Sequence, residues 1–309
     1  MKSRLRRFAP YLLIVLAVAA AVYAISKRRG ELVVALGHLA PLAVVASLLL
    51  GMLGTGVSFL LWRQLLLGLG VDQPQAGSFR VFFVGQLGKY LPGSVWPVVA
   101  QMEFGKKRGI ARRTILAANA LTLALGLAVG LILGAALLPL TSTSALRTFG
   151  WFYLFLPFLL VLLHPRTIPG LLDWLFKRIG RPPLGQRLPW SAMWRAAGWA
   201  LLSWVLLGLH LYALTSGLGV TGPRVLAATI GGFALAASAG ILFIPAPAGA
   251  GIRDVVLIAA LGVSMTGAQA LGVGLASRVL LVVVDLLMAA LAVLGSRLWR
   301  SDRARVASP

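Results

Sequence analysis

Ile115-Leu-Ala-Ala-Asn-Ala-Leu-Thr-Leu-Ala-Leu-Gly-Leu-Ala-Val-Gly-Leu-Ile-Leu-Gly-Ala-Ala-Leu-Leu-Pro139 runs from end to end without a charged side chain. About 20 apolar residues in a helix cross a hydrocarbon core about 30 Å thick, so this stretch is long enough to span a bilayer. A helix apolar on every side has no solvent-facing stripe and is stable only in a protein core or in lipid. The rest of the chain decides between those. Of 309 residues 59% are hydrophobic and 12% charged, with a mean hydropathy of +0.92. A soluble chain carries about a quarter charged residues, so too little polar surface exists here to cover a water-soluble particle.

Outward from residues 115–139, similar runs occupy 9–26, 39–62, 149–164, 196–214, 225–244, a shorter 251–264, and 269–294. The expectation is an all-α, polytopic membrane bundle of about eight transmembrane helices. The basic start Met1-Lys-Ser-Arg-Leu-Arg-Arg7 before 9–26 has the look of a signal peptide, but the further spans make it an uncleaved first helix. The chain reads as one integral membrane domain, with a first half of about 1–145, a second of about 146–294 and a basic tail at 295–309.

The net charge of +22 comes from 29 Lys and Arg against 7 Asp and Glu. Such a balance raises nucleic acid as a partner, but the cations sit in short segments between apolar runs, the pattern of cytoplasmic loops facing anionic lipid. With both termini in the cytoplasm, the inner segments hold twenty-two of the Lys and Arg, including Arg253, and the outer segments five: Lys27, Arg28, Arg29, Arg147 and Arg224. That asymmetry predicts a multi-pass protein of the cytoplasmic membrane with both ends inside. The longest loop, 166–195, contains an amphipathic stretch, Ile168 to Ile179, suited to lying flat among headgroups.

Cysteine is absent, which excludes disulfides, thiol catalysis and Cys-ligated zinc. His38, His164 and His210 are widely separated, so no metal site is expected. Neither a Ser-His-Asp order nor a Walker, Rossmann or HExxH motif occurs. No cofactor and no enzymatic activity are expected.

Residues 79–100 form a ninth apolar stretch, interrupted by Lys89, Pro92-Gly93 and Pro97. Proline removes a backbone donor and glycine permits positive φ, so 85–97 cannot continue a regular helix; a re-entrant hairpin is predicted. Interrupted backbone at membrane depth is tolerated only inside protein or beside a wet cavity. A second interruption, Pro245-Ala-Pro-Ala-Gly249-Ala-Gly251-Ile-Arg253-Asp254, falls in the other half. Freed amides beside a cation suit a phosphate, whereas a plain kink with a snorkelling lysine is the structural alternative. Matched interruptions in two halves are a pointer to a transporter site, and the pairing of Tyr90-Leu-Pro-Gly93 with Phe243 to Gly249 is a weak internal repeat. Ionisable residues at membrane depth are functional candidates. Arg278 and Asp285, seven apart, share a helical stripe; Glu103 follows the first interruption. The candidate lipid-headgroup residues are therefore Lys89, Tyr90, Pro92, Gly93, Glu103, Pro245, Gly249, Gly251, Arg253, Asp254, Arg278 and Asp285, with simple pairing of Arg278 to a carboxylate as the alternative.

Val84-Gly-Gln-Leu-Gly-Lys-Tyr-Leu-Pro-Gly-Ser-Val-Trp-Pro97 followed by Gln101-Met102-Glu103 resembles the transmembrane domain of lysylphosphatidylglycerol synthases and their stand-alone, flippase-like relatives. Pro245 to Asp254 is similar to that family's second motif, and Arg278 to an arginine in the helix that follows. The resemblance implies a bundle of about eight helices with re-entrant elements, acting on lipids by flipping a modified phospholipid. It does not extend to the soluble aminoacyl-transferase domain of complete synthases, for which these residues show no counterpart. Asn119 and Asp254 stand where relatives often carry an acidic residue and a glutamate, which implies a different lipid. The expectation is a lipid flippase or lipid-binding transporter for an anionic or modified phospholipid or a polyprenyl-phosphate lipid. Two alternatives accompany it: a non-catalytic membrane scaffold for a glycosyltransferase or lipid-synthesis partner, and a lipid-modifying transferase.

Overall fold

The computed structural model of the protein describes residues 37, 39–91, 95–141, 154, 156–162, 164, 166–180, 183, 188–242 and 251–306. Every regular element among them is helical: α1 (Pro41–Gly68), α2 (Gln75–Gln86), a 3-10 turn (Leu87–Tyr90), α3 (Trp96–Lys106), α4 (Arg112–Thr141), α5 (Leu156–Leu162), α6 (Thr167–Arg178), α7 (Trp190–Gly217), α8 (Pro223–Leu242), α9 (Ile252–Leu261) and α10 (Gly267–Val306). Five are long and apolar enough to cross a membrane: α1, α4, α7, α8 and the part of α10 from Gly267 to Gly295. They coincide with the expected runs at 39–62, 115–139, 196–214, 225–244 and 269–294. The run at 9–26 lies outside the described residues; of 149–164, residues 154, 156–162 and 164 are described and carry α5. The expected short crossing at 251–264 is the ten-residue α9, about 15 Å long at 1.5 Å per residue and so about half a hydrocarbon core.

Two successions of elements repeat. A 28-residue helix (α1 or α7) ends in a turn, then α2 or α8 runs to an interruption, then a short helix of 11 or 10 residues (α3 or α9) returns, then α4 or α10 crosses. The turns closing α1 and α7 share one sequence, Gly68-Leu-Gly-Val71 and Gly217-Leu-Gly-Val220, and one conformation. Gly70 has φ 75° and Gly219 φ 74°; Val71 N–H donates to Leu66 O at 3.0 Å and Val220 N–H to Thr215 O at 3.1 Å. A glycine in the left-handed region with this bonding satisfies the last carbonyls of a helix.

The repeat is inverted. Where α1 and α7 meet, Ser203 Oγ donates to Gly54 O at 2.9 Å across a separation of 149 positions. That same spacing relates the flanking contacts in reciprocal pairs. A Cβ on Gly68 would lie 3.0 Å from Ala192 Cβ and meet Leu188; a Cβ on Gly217 would lie 2.7 Å from Ala43 Cβ and meet Leu39. Such reciprocity is the mark of a two-fold axis, and the pairing of the start of one helix with the end of the other makes α1 and α7 antiparallel. Gly51 and Gly54 let α7 approach α1 at His210 and Leu207, and Gly208 lets α8 approach α7 at Ile230, as membrane helices require in the absence of a hydrophobic drive between them. Beyond this centre the halves interlock. α2 packs on α10 and α8 on α4, each antiparallel, so each hairpin leans on the long last helix of the other half.

All basic residues in the described helices and loops, apart from Lys89, Arg224, Arg253 and Arg278, gather toward the end of the bundle that holds the C-terminus of α1 and the N-terminus of α7. α6 lies at this end with Ile168, Pro169 and Phe176 buried, Leu171 and Trp174 exposed, and the Arg178 guanidinium over the Trp174 ring. The expected amphipathic stretch is thus a helix with two apolar sides, one against protein and one left for lipid.

Candidate headgroup site

The first interruption is a hairpin, as the sequence predicts. α2 stops at Gln86 because the chain tightens into the 3-10 turn, and α3 restarts at Trp96 with Pro97 in its first turn, where a missing N–H costs nothing. Gly88 is required by this return: a Cβ there would lie 2.7 Å from the Trp96 carbonyl carbon and the Pro97 nitrogen. Pro92, Gly93, Pro245 and Gly249 lie outside the described residues. The second interruption resumes at Gly251, whose φ of 92° suits only glycine. Asp254 caps the start of α9 by accepting from Gly251 N–H at 3.2 Å, and a carboxylate in a first helical turn is favourable.

α10 joins the two interruptions. On its first-half side Asp285, whose side chain is 5% exposed, receives Lys89 Nζ at 2.7 Å and the Tyr90 hydroxyl on the same oxygen, Oδ2. One helical stripe away, Arg278 Nη1 donates to Asp254 Oδ2 at 2.5 Å, with both side chains 31% exposed. The stripe expected for Arg278 and Asp285 is therefore the seam along which both hairpins attach, and Arg278 does pair with a carboxylate. Within the 29 residues from Gly267 to Gly295, both positions lie within four residues of the middle, about 6 Å along the axis. A bilayer crossed by Gly267 to Gly295 has these charges near its centre.

Arg253 joins them. Its guanidinium lies over the Phe233 ring, 5.1 Å from the centroid, and is within electrostatic reach of Arg278, Asp254, Tyr90 and Asp285. Among the described residues it has no carboxylate partner; the cation–π contact offsets only part of the cost of a desolvated charge. Charge counting had placed Arg253 in a cytoplasmic segment. The shortness of α9 and its packing against α8 place it instead beside the middle of α10.

Glu103 is not brought into this group. It pairs with Arg112 near the basic end, both side chains about half exposed, far along α3 from the turn. Two neutral groups outside the candidate set fasten the helices. Asn119 Nδ2 donates to the buried Gln101 Oε1 at 2.8 Å and to Ile115 O at 2.9 Å, fastening α3 to α4. His210, fully buried, has Nδ1 2.8 Å from both the carbonyl and the hydroxyl of Ser47 and Nε2 3.0 Å from Ser277 Oγ. Since a carbonyl only accepts, Nδ1 carries the proton and Nε2 is free to accept from Ser277; the ring ties α1, α7 and α10 together. A wide spacing in sequence had hidden these partners.

Compared with known families, residues 9–289 match the family model described as the lysylphosphatidylglycerol synthase TM region. No match is found among curated proteins.

Proposed function

The chain belongs to the lysylphosphatidylglycerol synthase TM region family, and on that premise we propose that it is a lipid flippase or lipid-binding transporter that moves an anionic phospholipid or polyprenyl-phosphate lipid without catalysing a covalent step. The observation that carries this reading is the meeting of both interrupted segments at the middle of α10, with five charged side chains and one cation in excess. Charges at such depth are costly and are kept for a pathway or a ligand. The inverted repeat supports the same reading, since transporters of this build bind substrate at the repeat interface near the midplane and expose it to each side in turn.

In this mechanism the phosphate of the headgroup engages Arg253 and Arg278, with Lys89 adding charge from the first hairpin. Acyl chains remain in lipid beside the exposed apolar faces. Arginine suits the role because its planar fork meets two phosphate oxygens at once. The basic end of the bundle faces the cytoplasm in this reading, because cations are retained on that side.

Reconstitution into liposomes with an acyl-labelled anionic phospholipid tests the reading. Arg278→Ala should abolish movement of the label between leaflets while the protein still inserts, and Arg224→Ala, at the far end, should leave it unchanged. Equal transport by both variants, or none by the unmodified protein, removes the transport role. A scaffold would be silent in the assay; a transferase would leave a covalently altered lipid.

A further inference from the structure

The charge sum of the cluster specifies more than a phosphate. Lys89, Arg253 and Arg278 contribute three positive charges, Asp254 and Asp285 two negative, leaving one positive charge over. The next described cations along α2, α3 and α8, namely Arg80, Lys106 and Arg224, lie toward the ends of the bundle. Tyr90 contributes a neutral hydroxyl already committed to Asp285. Among the described residues these five charges make up the cluster, at a depth where an uncompensated charge is costly.

We infer that the site selects lipids whose headgroup carries a single net negative charge, a phosphodiester with an uncharged polar remainder, over zwitterionic, cationic or multiply negative lipids. The inference rests on the transport reading and narrows its substrate class. In this structure Asp254 and Asp285 hold Arg278 and Lys89, leaving Arg253 to its ring contact. A monoanionic phosphodiester placed on Arg253 brings the sum to zero. A zwitterion leaves one positive charge, a headgroup esterified with a diamino acid leaves two, and a pyrophosphate turns the sum negative. The geometry agrees with the arithmetic. Asp254 is bound to Arg278 through one carboxylate oxygen and is a third exposed, so it can yield part of the guanidinium fork to an arriving phosphate; Asp285 is nearly fully buried under two donors and stays in place.

The experiment uses the full chain in liposomes and four acyl-labelled lipids: phosphatidylglycerol (net −1), phosphatidylcholine (0), lysyl-phosphatidylglycerol (+1) and a polyprenyl pyrophosphate. The unmodified protein should move phosphatidylglycerol fastest. Arg253→Gln, which brings the charge sum of the protein's own side chains there to zero, should shift the preference toward phosphatidylcholine by on the order of tenfold or more. Asp254→Asn should shift it toward the pyrophosphate. Arg253→Lys, with its charge kept, should hold the original order even if rates fall, which separates charge selection from damage to the fold. A rank order that ignores all these changes overturns the inference and leaves transport standing. Where none of the four lipids moves, the transport reading falls, and retention of the same four by the purified protein in native mass spectrometry decides the inference, an order indifferent to Arg253→Gln rejecting it.

Discussion

The two halves of this molecule share a backbone plan and differ in what they place inside it. In the first half, the short return helix is fastened to the next long helix by a neutral pair, Gln101 with Asn119. In the second half, the corresponding fastening, one helical turn displaced, is the ion pair of Asp254 with Arg278. The neutral amide pair, with Gln101 fully buried and Asn119 partly so, is satisfied within the protein. The carboxylate on Arg278 is a third exposed. On the transport proposal the first half therefore stays shut and the second exchanges its anion.

The helix contacts differ in the same sense. α8 lies against α7 where Gly208 faces Ile230 so closely that a Cβ would strike the Ile230 backbone. At the matching place in the first half, Phe59 of α1 faces Phe82 of α2 with ring centroids 5.7 Å apart, within a cluster that includes Phe79, Phe83 and Trp62. Aromatic pairs at such distances are well packed, but they hold the helices apart where glycine lets them close. The same fold therefore tolerates two spacings, each set by side-chain size.

The largest effect is expected from erasing that difference. Gly208→Phe puts a ring where the Ile230 backbone lies, and overpacking of this kind costs about 3 kcal/mol or more; it should abolish the recovery of folded protein in detergent, and a normal yield would show that the close α7–α8 contact is dispensable. Next comes Asn119→Asp. The new carboxylate loses the donor to Gln101 Oε1 and Ile115 O and faces two oxygens, at a cost of about 2–3 kcal/mol, read as a lowered unfolding temperature. Asp254→Asn, in a pair whose side chains are each about a third exposed, should lower the unfolding temperature by less than Asn119→Asp does while altering lipid preference. If Asp254→Asn proves the more damaging to stability, the assignment of a fixed and an exchangeable fastening is reversed. Smallest is Ser47→Ala, which removes the hydroxyl but not the carbonyl from His210 Nδ1; about 0.6 kcal/mol is the usual worth of such a bond between membrane helices, measured by the same unfolding.

Much of this architecture was legible in sequence, and the part that was not has a physical reason. Apolar runs locate the long helices because hydrocarbon demands a minimum length of apolar chain, and the hairpin at 85–97 was readable from Lys89, Pro92-Gly93 and Pro97. The inverted repeat was visible only as a faint likeness between the interruptions. Lipid and helix contact constrain residue size more than identity, so the Phe59 and Gly208 positions can diverge completely while the turns, which need a left-handed glycine, keep Gly-Leu-Gly-Val. In the candidate site, the shared stripe of Arg278 and Asp285 was readable from helical spacing. The inclusion of Glu103 was not warranted, because nearness in sequence to an interruption says nothing about which end of α3 a side chain occupies. Gln101 and His210 stayed outside the candidate set, and Asn119 stood out only as a departure from the family pattern, because neutral polar residues give no signal until their partners are known.

The inverted arrangement of the hairpins changes the distance that matters for a headgroup. One hairpin enters from the basic end and the other from the opposite end, and their charged tips attach to α10 at Asp285 and Arg278. An unassisted headgroup faces about 30 Å of hydrocarbon. Beside this protein, the gap between the polar groups reached from one face and those reached from the other is the seven-residue step between those two positions, about 10 Å of helix. On the transport proposal, the step that a headgroup makes between these two polar footholds is comparable to its own size.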